Sequence, residues 1–134
     1  YILVEMPYIE SLGALKASFE ALIESEYVPV IAHPERMDMF IKEPSLLWEF
    51  ASKGVIAQVT AGSLYGRFGG EVERFTKTIV GSDFNVVIAS DTHMSRRPRD
   101  QDLLAGFEHA VSLVGTERAT EMVSDLPLKI LNDY

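Results

Sequence analysis

The chain has 134 residues, enough to bury one core but short for a complete barrel enzyme. With 47% hydrophobic and 24% charged residues it is excluded from the disordered and fibrous classes. A net charge of −8 and a pI near 4.8 disfavour non-specific attachment to nucleic acid or anionic membrane, and the absence of cysteine excludes disulfides and thiol-based phosphatase chemistry.

Four apolar runs rich in β-branched residues read as strands buried on both faces: Tyr1 to Val4, Val28 to Ala32, Val55 to Thr60 and Asn85 to Ala89. Because the first run opens the chain without an initiator methionine, natural sequence is expected upstream. Between the runs, apolar residues recur at helical spacing. Leu12, Leu15, Phe19, Leu22 and Ile23 form one stripe; Leu46, Leu47, Phe50 and Ala51 a second; Phe68, Val72, Phe75 and Ile79 a third. Pro44 and Ser45 open the second helix and Gly54 follows it, while Gly81 follows the third. A fourth helix carries Leu103, Leu104, Phe107, Val111 and Val114, with Asp100 as its cap, and a peripheral helical segment follows from Glu117 to Val123. The spacing of strand starts, roughly 30 residues, is that of a right-handed βαβ unit. Four consecutive parallel (β/α) units are therefore predicted, as a small open sheet or as part of a barrel. No run approaches the roughly 18 apolar residues of a membrane span, so no membrane insertion is expected.

Parallel α/β folds gather function at the carboxyl ends of their strands. There the sequence puts Glu5, then His33-Pro34-Glu35-Arg36, then Ala61-Gly62-Ser63, then Ser90-Asp91-Thr92-His93. Proline after His33 favours extended geometry, which would keep the imidazole at the strand end. Asp91 and His93, two apart on an extended backbone, would project to one side. A lone strand-end carboxylate is commonly a cap and a lone histidine a structural donor. The shared rim raises Glu5, His33, Asp91 and His93 to candidate ligands of manganese, iron or zinc, since imidazole and carboxylate without thiolate suit each of these. Guanidinium groups suited to phosphate follow at Arg36, Arg67, Arg96, Arg97 and Arg99. His109, inside the last helix, and Ser63, lacking the flanks of a nucleophile elbow, carry no catalytic assignment. Gly62, Gly66, Gly69 and Gly70 suggest a flexible third loop without a phosphate-loop pattern.

The segments VPVIAHPER, QVTAGSLYGRFG and VIASDTHMSRRP, in this order and spacing, resemble the C-terminal half of the polymerase and histidinol phosphatase (PHP) superfamily. They are most similar to the manganese-dependent protein-tyrosine phosphatases of bacterial capsular and exopolysaccharide biosynthesis, and the similarity covers nearly the whole chain. The resemblance implies that residues 1–134 form about half of a distorted (β/α)7 PHP barrel with a multinuclear metal centre. Glu5 would match its bridging carboxylate, His33, Asp91 and His93 its ligands, Arg36 its phosphate-binding arginine, and one of Arg96, Arg97 or Arg99 a second.

That family's opening Asp-x-His-x-His motif is not found in this chain, so half the ligand set is missing. Methionine stands at position 37, where the family more often has an aromatic residue, and threonine at position 92, where it more often has alanine. The implied activity is cytoplasmic hydrolysis of phosphotyrosine on a tyrosine autokinase that controls polysaccharide export. Histidinol phosphate or another small phosphomonoester is the alternative substrate. A third reading is a non-catalytic fragment whose open sheet edges drive self-association into a homo-oligomer.

Overall fold

A computed structural model describes residues 1–6, 12–93 and 100–132. Its centre is a parallel sheet with strand order β1-β2-β3-β4, formed by Ile2–Val4, Pro29–Ala32, Ile56–Thr60 and Val86–Ala89. Each strand lies inside an apolar run foreseen from the sequence. The helices are α1 (Leu12–Glu24), α2 (Asp38–Lys42), α3 (Ser45–Ser52), α4 (Gly70–Val80), α5 (Asp100–Val114), α6 (Thr116–Thr120) and α7 (Leu126–Leu131), with a π-type turn at Glu121–Asp125. Three-residue and five-residue 3-10 turns, Pro34–Arg36 and Ala61–Tyr65, follow β2 and β3 directly.

The register sorts the strand side chains into two faces. Ile31, Ala57, Val59, Val86 and Ile88 point to the main core, where they meet Leu15 and Phe19 of α1, Leu47 and Phe50 of α3, Phe75 and Ile79 of α4, and Ala110 of α5. Val30, Ile56 and Val87 point the other way, against Leu126 and Ile130 of the C-terminal region. Apolar residues are needed on both faces, which is why these strands read as mainly apolar runs rich in β-branched residues.

Three expectations are corrected and one helix is added. The first strand is not buried on both faces, because Leu3 at the margin of the described sheet is 60% exposed. Phe68 lies outside the third helix: Gly69 adopts φ 96°, so α4 starts at Gly70. Asp38–Lys42 forms a helix too short for its periodicity to register, anchored by the fully buried Phe40. The C-terminal segment is not peripheral, since Ala119 and Met122 are fully buried in the main core.

Helix α5 lies flush on the turn after β3. A methyl group at Gly106 would sit 2.6 Å from Ala61 Cβ and 2.9 Å from Ala61 Cα, closer than carbon atoms approach. A helix-interior glycine ordinarily costs about 1 kcal/mol relative to alanine, so here close approach overrides propensity. Gly106→Ala is expected to destabilise the chain by about 1–3 kcal/mol, measured by urea unfolding, because α5 must move off the turn. A gain in stability would show that α5 is free to shift.

Candidate active site at the strand carboxyl ends

The strand ends are laced together by side chains whose partners come from other strands. Glu5, just beyond β1, has Oε1 3.2 Å from His33 Nε2 at the end of β2. Arg36 Nη1 donates to Asp91 Oδ2 at 3.0 Å, spanning from the turn after β2 to the end of β4. The Arg36 guanidinium also lies 4.5 Å over the Phe68 ring, a cation–π contact that fixes its plane. His93 folds back, with Nδ1 2.9 Å from the Asp91 carbonyl oxygen and 3.8 Å from Asp91 Oδ1.

Backbone geometry here differs from the expectation, and the difference brings the groups together. His33 is left-handed, at φ 37° and ψ 53°, despite the following proline, and Asp91 is also left-handed at φ 54°. The chain therefore turns sharply one residue beyond β2 and two residues beyond β4. Such backbone costs of order 1–3 kcal/mol per non-glycine residue and persists only where surrounding contacts over-determine it. Asp91 and His93 thus meet through a turn, not through the two-residue alternation of an extended strand.

Beneath these groups lies a residue that the sequence reading passed over. Glu35 is fully buried, and its Oε1 accepts hydrogen bonds from the Thr60 backbone N–H at 2.9 Å and from Ser63 Oγ at 2.7 Å. Among the described residues, Glu35 Oε2 and Thr60 Oγ1 have no hydrogen-bond partner. Burial raises the Glu35 pKa above the ordinary carboxylate range, opposed by the Thr60 and Ser63 hydrogen bonds and by the neighbouring His33. Because the folded pKa lies above the unfolded one, the stability Glu35 contributes is present at low pH. It is lost as pH rises from about 4.3, the unfolded value, through the folded pKa. Glu35→Gln, which stays neutral, is therefore expected to gain stability relative to the parent as pH increases above that value. Thermal melts across a pH series would show the gap widening, and a constant gap would contradict it.

The third loop is a packed 3-10 turn, with Ala61 to Leu64 buried. Ser63 serves Glu35, and Arg67 is an ion-pair partner of Asp102, which also accepts from Tyr65 Oη at 2.8 Å. This ion pair ties the Arg67 guanidinium to α5 through Asp102. His109 stacks on Tyr65 with ring centroids 5.5 Å apart, a structural contact. Arg96, Arg97 and Arg99 lie outside the described residues.

Glu5, His33, Asp91, His93 and Arg36 thus occupy one rim, as a Glu5–His33 pair beside an Arg36–Asp91–His93 group. Among the described residues, no three His, Asp or Glu side chains are arranged to hold one metal ion. The donor chemistry, carboxylate and imidazole, suits a divalent cation.

A parallel α/β sheet with carboxylate, imidazole and guanidinium groups on its carboxyl rim defines the class. Comparison with known proteins makes it specific: the CpsB/CapC family of capsular polysaccharide synthesis matches residues 1–132, and the chain belongs to that family. It is 39% identical over 93 residues to the tyrosine-protein phosphatase YwqE of Bacillus subtilis strain 168, covering 69% of this chain and 37% of that protein. It is 35% identical over 120 residues to the putative tyrosine-protein phosphatase CapC of Staphylococcus aureus, covering 84% of this chain and 47% of that protein. The chain therefore spans less than half the length of these relatives. In the crystal structures of YwqE from Bacillus subtilis and CpsB from Streptococcus pneumoniae, described as unique metal-dependent tyrosine phosphatases, one chain superposes with a TM-score of 0.85 at 30% identity. All of the present chain and 54% of that one are covered.

Proposed function

We propose that this chain is the C-terminal half of a PHP-type barrel that hydrolyses phosphotyrosine, with manganese as the cation, on a cytoplasmic tyrosine autokinase governing capsular polysaccharide. The observation that carries the reading is the Arg36–Asp91 contact across β2 and β4, at the same rim as the Glu5–His33 pair. In the complete barrel, Glu5, His33, Asp91 and His93 would hold the cations jointly with ligands from the other half. When bound, the cations would supply Lewis-acid polarisation of the phosphoryl oxygens and lower the pKa of the attacking water.

The chain's own residues supply position and charge. Arg36 presents a planar fork to phosphate oxygens, held flat by Phe68, and offsets the negative charge that grows on them during in-line displacement. His33 and Asp91, turned at the strand ends by their left-handed backbones, keep their side chains at the rim. These 134 residues contain no cysteine, so within this half no thiol nucleophile is on offer, and attack by water is the route proposed. No described helix is long and apolar enough to cross a membrane. The test is hydrolysis of a phosphotyrosine peptide by the complete protein carrying this sequence, with manganese and then with excess chelator. Activity that survives chelation unchanged, or no hydrolysis with any divalent metal, would sink the reading.

A further inference from the structure

A fully buried glutamate one residue before the proposed phosphate-binding arginine needs a reason, because burial of a carboxyl is costly and surface glutamates are freely replaceable. Glu35 forms the middle of the 3-10 turn Pro34–Arg36, whose last residue is Arg36. Its Oε1 is gripped by two donors from the end of β3, Thr60 N–H and Ser63 O–H. The turn on which Arg36 stands is thereby pinned to the neighbouring strand from below. From above, Arg36 is pinned by Asp91 at 3.0 Å and by the Phe68 ring at 4.5 Å. These contacts come from the end of β3 with the turn after it, the segment just beyond β4 and the loop before α4, so the guanidinium is located by three separate parts of the fold.

We infer that Glu35 is a positioning residue for Arg36: its buried carboxyl locks the turn after β2 to the end of β3 and so fixes where the guanidinium meets phosphate. The inference rests on the reading of Arg36 as a phosphate-binding group. Glu35 itself touches no substrate. A purely structural glutamate would affect folding alone, whereas a positioning residue acts through Arg36, and its effect must vanish when Arg36 is gone.

The experiment is a double-mutant cycle in the complete protein, with inorganic phosphate as probe in calorimetric titrations with manganese present, alongside thermal melts. Glu35→Ala is expected to weaken phosphate roughly tenfold when Arg36 is present, as loss of a buried hydrogen-bonded anchor does. In an Arg36→Ala background the same substitution is expected to change phosphate affinity less than about twofold. Glu35→Gln, which keeps an acceptor oxygen of the same reach, should recover most of the affinity that Glu35→Ala loses. An equal fold-loss in both backgrounds, or no loss with Arg36 present, overturns the inference. Should Glu35→Ala fail to fold, Ser63→Ala replaces it: a loss confined to the Arg36-containing background supports the inference and an equal loss in both overturns it. The phosphotyrosine-peptide assay on the unsubstituted protein separates the two levels. Coupling without hydrolysis removes the phosphatase reading and keeps the Glu35–Arg36 link, while hydrolysis without coupling does the reverse.

Discussion

Replacing Arg36 by alanine in the complete protein is expected to lower kcat/KM for a phosphotyrosine peptide by about 10²–10³-fold, or about 2.7–4 kcal/mol of transition-state stabilisation. The magnitude follows from what Arg36 does. It is the described cation at the rim that is both held rigidly and aimed, with its plane set by Phe68 and one amino group on Asp91. Charge on the phosphoryl oxygens develops during displacement, so donors fixed beforehand contribute more to the transition state than to substrate binding. The loss should therefore appear in kcat as well as in phosphate binding. Arg36→Lys is expected to recover little, because an ammonium keeps the charge but neither the fork nor the flat face that stacks on Phe68. Arg67→Ala is the control: Arg67 is engaged by Asp102, so its removal should loosen the Tyr65–Asp102 contact without a comparable loss of kcat. A fall of less than about threefold for Arg36→Ala would remove the arginine from the chemistry, since a hydrogen bond to a charged group contributes about 1.5–3 kcal/mol, or more than about tenfold.

How far the sequence showed this arrangement depends on how local the cause is. Three of the four strands were legible because strands covered on both faces need a largely apolar run, and residues 29–32, 56–60 and 86–89 have one, interrupted only by Gln58 and closed by Thr60 in the second; the first strand, at the sheet margin, was legible from its apolar residues alone. Strand-end positions for Glu5, His33, Asp91 and His93 followed from that alone, and the structure places all four at one rim. The side-chain partners did not follow. Glu35 reads as one more charged residue in a motif, and its burial is decided by Thr60 and Ser63, 25 and 28 positions away. The left-handed turn at His33 contradicts the local preference of a residue before proline, because the tertiary contacts of its imidazole and of the following turn outweigh it. Met122 looked peripheral because its segment lacks a continuous stripe. It is buried because the π-type turn carries it into the core beside β4, a placement no local window encodes.

The largest expected loss of stability lies away from the rim, at Phe50. This ring is fully buried at the end of α3, with its centroid 4.9 Å from that of Phe19 on α1 and 6.3 Å from that of Phe40 on α2, the latter edge-on. Three helices therefore meet through one aromatic cluster. The Phe50 backbone carbonyl also accepts from Val55 N–H at 3.2 Å, in the turn that leads into β3. Phe50→Ala leaves that backbone contact available and removes the ring alone, so the cost is that of a cavity among side chains held by their own helices. About 3–5 kcal/mol is expected, a large share of the about 5–15 kcal/mol that holds a domain folded. Leu128→Ala, at a site 53% exposed, is expected within about 0.5 kcal/mol of the parent. Urea unfolding of both variants would check the contrast, and a Phe50→Ala cost below about 1 kcal/mol would mean that α1, α2 and α3 can close over the gap. In that case the helices under the sheet are not rigid. The rim would then owe its geometry to contacts such as Glu35 with Thr60 and Ser63, not to the packing beneath.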